Sequence, residues 1–279
     1  MKKILVLLFV FLNTFVFSAD NIKFSSKAVK QGEFLIIEYP KEKEYDIIFK
    51  NSKIKIKSFL YRGKKRALVP VHYSTPAGTY TVKIYENKRE KLSQRIKVTD
   101  GNFQKSYITV STKMKAKRSA KNMAVMTNHT AEAKKNASDN KLWKGKFIYP
   151  VKDKKYHKIS SSFGATRYVN NKVAGYHSGI DFPVPIGTPL RAANAGRIVL
   201  ARKLTTTGNT IIIDHGMNVF SAYAHMSELA VKEGDIVKRG QSIGKSGNTG
   251  FTTGPHLHFT ISIGTTFVNP YIFMDNKVL

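Results

Sequence analysis

Histidine and aspartate side chains in the second half of the chain have the spacing of metal ligands. Five of the eight histidines lie at or after position 177. His256 and His258 form an H-x-H motif, and alternation along a strand would turn both rings to one face. His177 and Asp181 form an H-x-x-x-D motif. Because neutral imidazole and carboxylate both bind zinc, these four residues predict a metal site.

A catalytic zinc site has three protein ligands and a fourth position open to water. The spacing predicts His177, Asp181 and one histidine of the H-x-H pair as the ligands. The other histidine of the pair, and His225, would then handle protons or developing charge during attack on a carbonyl. The chain has no H-E-x-x-H motif and no cysteine, which excludes a zincin helix and thiolate ligands.

The elements that must position these histidines are predicted to be strands. From residue 147 to residue 279, short apolar runs such as 198–200 and 210–213 alternate with glycine-rich turns, and no helical period is sustained. Residues 218–225 predict a further strand, in which the odd-numbered positions, including His225, share one face. We therefore expect residues 147–279 to form an all-β domain.

Residues 20–99 predict a separate β domain. Alternating apolar and polar residues at 53–57, 79–85 and 95–98 are typical of half-buried strands. Several short strands separated by turn signals favour a small β-sandwich of immunoglobulin-like type. No cluster of catalytic residue types occurs in this part, and we interpret its single histidine, His72, as structural.

Residues 100–146 form a basic linker between the two domains. Lysine and arginine alternate here with alanine, methionine and asparagine, which fits either a helix or a loosely ordered segment. A solvated linker is the favoured interpretation, and an arm that binds a wall polymer or lipid is the alternative. Trp143, the only tryptophan, is expected where the chain packs onto the C-terminal domain.

Residues 1–19 have the pattern of a secretory signal peptide. Lys2 and Lys3 precede an apolar run, and the small residues Ser18 and Ala19 follow it. An uncleaved membrane anchor is the alternative, although the apolar run is short for a full span. We therefore expect an exported protein that is periplasmic or associated with the cell envelope, or alternatively secreted.

The net charge of +29 favours a polyanionic partner, because long-range attraction concentrates a cationic protein on an anionic surface. An exported protein would not meet nucleic acid, so an anionic wall polymer or a lipid surface is the expected partner. A solvated lysine-rich surface explains part of the charge equally well. We expect a monomer, although no sequence feature fixes the oligomeric state.

The C-terminal sequence resembles the lysostaphin-like, LytM-type zinc metallopeptidases of family M23, which are exported bacterial cell-wall hydrolases. The resemblance runs from about residue 149 to residue 274. It covers the segments 161–164, 177–182, 187–193, 214–216, 223–226, 231–241 and 250–259. The order and spacing of so many segments make a chance match implausible.

This resemblance implies a LytM-type antiparallel β-sheet domain and assigns roles to the candidate residues. It implies zinc ligation by His177, Asp181 and His258, with His225 and His256 as unligated catalytic histidines. Three further positions are affected. His215 falls in a structural turn, Arg167 lies where relatives often carry an arginine that would bind a substrate carboxylate, and Phe251 replaces a smaller or polar residue, which leaves the substrate preference near that loop open.

The implied reaction is zinc-dependent hydrolysis of peptide bonds in peptidoglycan, with the cross-links as the favoured target. A DD- or LD-carboxypeptidase that trims stem peptides is the alternative. A non-catalytic regulator of other wall hydrolases is a third hypothesis, which the presence of all five histidine and aspartate residues disfavours. A module that only binds the wall or a lipid surface is the fourth hypothesis.

The resemblance also implies that a preceding segment of the chain can cover the groove in which the peptide substrate would lie. Residues 100–146 are the candidate for such a cover.

Overall fold

The structure, a computed structural model, describes residues 16–17, 21–50 and 56–275. The predicted signal peptide lies outside the described residues apart from positions 16–17, and so does most of the strand expected at 53–57. No helix within the described ranges is both long and apolar enough to cross a bilayer.

The described N-terminal part contains nine strands in two sheets. They are β1 (Val16–Phe17), β2 (Lys23–Phe24), β3 (Ala28–Lys30), β4 (Phe34–Pro40), β5 (Asp46–Phe49), β6 (Ser58–Tyr61), β7 (Lys64–Pro70), β8 (Gly78–Glu86) and β9 (Arg89–Thr99). The first sheet has the order β1-β2-β4-β7-β6 and the second the order β3-β9-β8-β5. The alternating runs at 79–85 and 95–98 lie within β8 and β9, as predicted, whereas residues 56–57 precede β6 as a loop.

Strand β4 of the first sheet is buried on both faces. In β4, Leu35 and Ile37 point toward the second sheet and share its apolar core. Their neighbours Phe34 and Ile36 point the other way, into the core of the C-terminal domain. Trp143 is buried in that same core, where its ring meets the ring of Phe59 edge-on at 5.1 Å. The tryptophan therefore packs against both halves of the chain and joins them.

The basic linker, residues 100–146, is called the linking segment below. It contains one strand and two helices, namely β10 (Lys105–Ile108), α1 (Thr112–Ala116) and α2 (Ala120–Lys135). Ser111 and Ser119 cap the two helices, each accepting a hydrogen bond from a backbone N–H in the first turn. β10 pairs in parallel with β11 (Thr166–Val169), which continues into β12 (Lys172–Tyr176). The linker is thus built into the C-terminal domain as a strand, which its composition did not predict.

The C-terminal domain is built on a seven-stranded antiparallel sheet with the order β13-β21-β17-β16-β15-β19, and β22 pairs with β21. A smaller sheet has the order β14-β20-β18. The bounds are β13 (Ile180–Phe182), β14 (Pro189–Arg191), β15 (Gly196–Leu204), β16 (Gly208–Asp214), β17 (Val219–Met226), β18 (Glu228–Leu229), β19 (Ile236–Val237), β20 (Ser242–Lys245), β21 (Leu257–Ile263), β22 (Thr266–Val268) and α3 (Pro270–Asp275). The domain is mostly β, with a 3-10 turn at Lys154–Tyr156 and the short α3 as its helical parts in the described region.

The two faces of the seven-stranded sheet differ in what covers them. Leu257, Phe259 and Ile261 of β21 point into the main core. The intervening residues of β21, beginning with His258, point to the opposite face. An apolar patch on that face, formed by Leu200, Leu204, Ile212 and Phe220, packs against Met126 and Ala133 of the α2 region. Helix α2 and the candidate histidines therefore share one face of the sheet.

Candidate metal centre

Asp181 and His258 lie directly opposite each other in the antiparallel pair of β13 and β21. Directly paired residues project side chains to the same face of a sheet, so the register itself brings the carboxylate and the imidazole together. Asp181 Oδ1 lies 2.7 Å from His258 Nδ1. Both side chains are largely shielded from solvent, with exposed fractions of 9% for Asp181 and 14% for His258.

His177 reaches the same point from the loop that follows β12. Its backbone is fixed by hydrogen bonds with Ala165 and Gly164, and its ring is buried. His177 Nδ1 lies 2.8 Å from the carbonyl oxygen of Ser162, an arrangement that places the ring proton on Nδ1. The Nε2 lone pair is then directed toward Asp181 and His258.

The three candidate ligand atoms form a compact triangle. His177 Nε2 lies 3.0 Å from Asp181 Oδ1 and 3.0 Å from His258 Nδ1. Tetrahedral zinc with bonds of about 2.0–2.1 Å places its ligand atoms roughly 3.3 Å apart, so a small adjustment would seat the ion. The two nitrogens and one oxygen are also a ligand set that zinc accepts. These residues therefore fit a metal ion, in agreement with the spacing in the sequence.

The electrostatics keep the ligands in their metal-binding forms. Burial raises the pKa of Asp181, but contacts with His177 and His258 outweigh it and hold the pKa well below its ordinary value. Burial also lowers the pKa of His258 to about 4, against the opposing effect of Asp181. At neutral pH the site therefore presents a carboxylate and a neutral imidazole, the states that bind a metal.

His225 reaches the metal centre because its backbone leaves the regular strand conformation. Between the pairs Ile211–Tyr223 and Asn209–Met226, β17 has two residues where β16 has one. One of the two, His225, has a φ of +62°, in the left-handed region. Regular alternation would have turned His225 to the face of Tyr223, which is the core face. The sequence-based expectation that His225 shares the face of Val219 and Tyr223 was therefore wrong.

The rings of His225 and His256 lie next to each other, with their centroids 4.7 Å apart. His225 Nδ1 lies 2.7 Å from the carbonyl oxygen of Thr249, and His256 Nδ1 lies 2.8 Å from that of Gly254. A carbonyl only accepts hydrogen bonds, so each Nδ1 carries a proton and each Nε2 is left to exchange one. His256 Nε2 lies 3.7 Å from Asp181 Oδ1, at the edge of the ligand triangle.

Burial lowers the pKa of His225 to about 3, with further lowering by the nearby His256 and His258. His225 is therefore neutral over the whole range in which the protein would work. A neutral ring whose Nε2 carries a lone pair can accept a hydrogen bond from an attacking water or from a substrate N–H.

The other predicted residues are divided between the site and the core. Arg167 lies at the site, where its Nη2 is 3.4 Å from Asp181 Oδ2. His215 is fully buried away from it, with Nδ1 2.7 Å from the Ala195 carbonyl oxygen and Nε2 2.8 Å from Ser221 Oγ. This places His215 in a structural position, as expected for its turn.

A cavity of about 510 Å³ opens beside the ligand triangle. The histidines, Arg167 and the loop that contains Phe251 form one side of it. The linking segment supplies other lining residues, namely Ser106, Tyr107, Ile108, Arg118, Met123 and Met126. None of these was singled out as a site residue in the sequence, because the only signal in this segment is its positive charge.

Residues 175–270 match the family model described as peptidase family M23. This part of the chain, residues 175–270, is called the M23 domain below because of that similarity. The chain is 45% identical over 123 residues to the peptidoglycan DD-endopeptidase ShyA of Vibrio cholerae, an alignment that covers 43% of this chain and 28% of that protein. It is 37% identical over 132 residues to the DD-carboxypeptidase/endopeptidase Mpg of Neisseria meningitidis, covering 47% of this chain and 30% of that protein.

The chain thus spans less than a third of the length of these two relatives. The similarity extends beyond the M23 domain in one solved structure, a candidate M23 peptidase of Pseudomonas aeruginosa. That structure is 25% identical, covers 86% of this chain and 92% of its own, and superposes with a TM-score of 0.64. An alignment over 86% of this chain is much longer than residues 175–270, so the shared fold includes N-terminal strands.

Proposed function

We propose that this protein is a zinc-dependent peptidase that hydrolyses peptide bonds in peptidoglycan, most favourably those of the cross-links. The observation that carries the proposal is the triangle of His177, Asp181 and His258, beside which lie two further histidines whose Nε2 atoms make no hydrogen bond within the described ranges. Three ligands and an open side are characteristic of a catalytic metal site, whereas structural sites are closed by four ligands.

The chain's own residues have distinct tasks in this reaction. A bound zinc ion would polarise the scissile carbonyl and lower the pKa of the attacking water. His256 receives the proton of that water at Nε2 and returns it to the leaving amine, while the neutral His225 accepts a hydrogen bond at Nε2 from the water or the substrate. Their Nδ1 atoms are held by backbone carbonyls, so neither ring needs to reorient between the two steps.

Zinc is proposed as the metal because of the ligand set. Two imidazole nitrogens and one carboxylate oxygen are typical of catalytic zinc sites, whereas magnesium and calcium prefer oxygen ligands alone. The chain has no cysteine to favour a softer metal.

The substrate is proposed from the relatives. Two M23 proteins with similar sequences are named for action on peptidoglycan or as DD-peptidases, one as an endopeptidase and one also as a carboxypeptidase. A DD- or LD-carboxypeptidase that trims stem peptides is therefore the second candidate. The pair of arginines in the cavity favours it, because a carboxypeptidase must recognise a free carboxylate. A non-catalytic regulator is a weaker candidate, since the complete ligand set would then have no use.

We propose that the N-terminal sheets form a small immunoglobulin-like sandwich and that the protein is an exported monomer, periplasmic or envelope-associated, or else secreted. The net charge of +29 would concentrate it on an anionic wall polymer or lipid surface.

Purified peptidoglycan digested by the protein and analysed by mass spectrometry tests the proposal. Loss of cross-linked dimers, abolished by a chelator and restored by zinc, is expected for an endopeptidase. Shortened stem peptides with intact dimers would identify a carboxypeptidase. If neither product forms with zinc-loaded protein, and His258→Ala behaves like the unsubstituted protein, the proposed activity is wrong.

A further inference from the structure

Arg118 brings a positive charge to the cavity from outside the M23 domain. It lies in the linking segment between α1 and α2, whereas the family match begins at residue 175. Its side chain lines the same cavity as His256 and His258. Arg118 Nη2 donates a hydrogen bond to the carbonyl oxygen of Ala174 at 3.1 Å, and its guanidinium carbon lies 5.7 Å from the centre of the Phe251 ring.

A second guanidinium, that of Arg167, lines the same cavity. One of its nitrogens, Nη2, lies 3.4 Å from Asp181 Oδ2, a long contact for an ion pair. Its Nε is buried and has no hydrogen-bond partner within the described structure. A buried N–H without an acceptor is costly, so this atom indicates a place for an acceptor that arrives with a ligand.

The two arginines are close enough to repel each other. Burial lowers the pKa of Arg118, and the charge of Arg167 lowers it further. Arginine remains charged despite such shifts. None of the ion pairs in the described ranges joins Arg118 to a carboxylate. Two like charges beside a cavity, one of them without an anionic partner, are complementary to a negatively charged ligand.

Carboxylate is the anion that a peptide substrate carries, and the guanidinium fork matches its geometry in two parallel hydrogen bonds. We infer that Arg118, together with Arg167, binds a free carboxylate of the peptide substrate beside the scissile bond. This inference rests on the proposed peptidase function and adds a recognition residue that the M23 domain alone does not contain. The linking segment is then part of the substrate site.

Two sources can supply such a carboxylate in a wall peptide. One is the C-terminal carboxylate of the peptide, and the other is the side-chain carboxylate of an acidic or diamino-acid residue next to the scissile bond. Peptides in which one or the other group is converted to the carboxamide distinguish these sources. The carboxamide has nearly the same shape, but it removes the charge and replaces one acceptor oxygen by an NH2 donor.

The experiment compares kcat and KM of the zinc-loaded full chain for the free-acid peptide and its two carboxamide forms. Arg118→Ala should lower kcat/KM for the free-acid peptide by about 10- to 100-fold, the range for a hydrogen bond to a charged group. It should remove most of the preference for the free acid over the carboxamide at one of the two positions. Arg118→Lys should retain part of that preference, because it keeps the charge but loses the fork.

Lys121→Ala is the matched control, because Lys121 is an exposed cation in the same segment and does not line the cavity. It should leave the preference unchanged. If Arg118→Ala reduces turnover of all three peptides equally, the arginine only holds the linking segment in place. If turnover of all three rises, the segment restricts access. Either result overturns the inference.

Binding to the metal-free protein separates this inference from the proposed activity. Calorimetry with the free-acid peptide and its carboxamides should show tighter binding of the free acid, and Arg118→Ala should abolish the difference. If no peptide is hydrolysed but this difference is observed, the proposed activity fails and the carboxylate site stands. Equal binding of all peptides by the unsubstituted protein overturns the carboxylate site.

Discussion

Asp181 and His258 are paired across β13 and β21, with Oδ1 and Nδ1 2.7 Å apart. The metal centre is therefore part of the hydrogen-bonded sheet and not only a feature of loops. Two of its three ligands are fixed by strand register, and a shift of one residue would turn one of them to the opposite face. The site should accordingly be preformed and sensitive to anything that moves β13 against β21.

His258→Ala should abolish stoichiometric metal binding, because two ligands and solvent hold zinc much more weakly than three ligands. Metal content of the purified protein, measured by plasma emission spectrometry after dialysis, checks this expectation. His129→Ala is the control, since His129 is exposed on α2, and it should retain the metal. Full zinc occupancy in His258→Ala would mean that the ligand set is different.

Gly179→Ala should disturb the metal centre without changing any of its ligands. A Cβ at Gly179 would lie 2.2 Å from the backbone oxygen of Phe259, so β13 would have to move away from β21. We expect a loss of about 1–3 kcal/mol in unfolding free energy, as for an overpacked site, together with weaker zinc binding. Urea unfolding and zinc titration measure the two effects.

Gly254→Ala is the matched control for this substitution, because a Cβ at Gly254 would meet no atom within 4 Å. It should leave both quantities nearly unchanged. If Gly179→Ala binds zinc as tightly as the unsubstituted protein, the close approach of the two strands does not set the ligand geometry.

His256→Ala and His225→Ala should separate catalysis from metal binding. Both rings lie next to the ligand triangle and hold a backbone carbonyl through Nδ1, but neither completes the triangle. Each substitution should lower kcat by about 100- to 10,000-fold while zinc content stays near one per chain. Loss of zinc in either variant would assign that histidine to the ligand set.

The sequence predicted the site residues that lie close together along the chain better than those whose side-chain direction depends on an irregular backbone. The H-x-x-x-D and H-x-H motifs indicated His177, Asp181 and one histidine of the H-x-H pair, because local spacing restricts which side chains can meet. The choice of His258 over His256 came from the family resemblance and not from the spacing. The position of His225 was not predictable, since a single residue with φ of +62° reverses that direction. The alternating strands β8 and β9 were recognised, whereas of the run 53–57 only residues 56–57 are described, and these two form a loop.

The contribution of the linking segment depends on long-range contacts that leave little local signal. β10 is four residues long and pairs with a strand about 60 positions later in the chain. Lys117 Nζ donates to the carbonyl oxygen of Gly250, and Thr206 Oγ1 donates to that of Lys117. In the sequence Arg118 is one basic residue among many, and only the fold distinguishes it by placing it at the cavity that the metal centre also lines.

Stability should fall between pH 6.5 and about pH 4 because of His215. Burial lowers the pKa of His215 to about 4, against an ordinary value of 6.5. In this interval the unfolded chain binds a proton that the folded protein does not, so acid favours unfolding, whereas above pH 6.5 the neutral ring is fully tolerated. A shift of this size corresponds to roughly 3 kcal/mol of unfolding free energy lost at the acid end.

Urea unfolding of the metal-free protein at pH 7 and pH 5 measures this pH dependence. His215→Gln should reduce the difference between the two pH values, while His129→Gln, at an exposed position, should not. An equal pH dependence in His215→Gln and the unsubstituted protein would show that other groups govern the acid sensitivity.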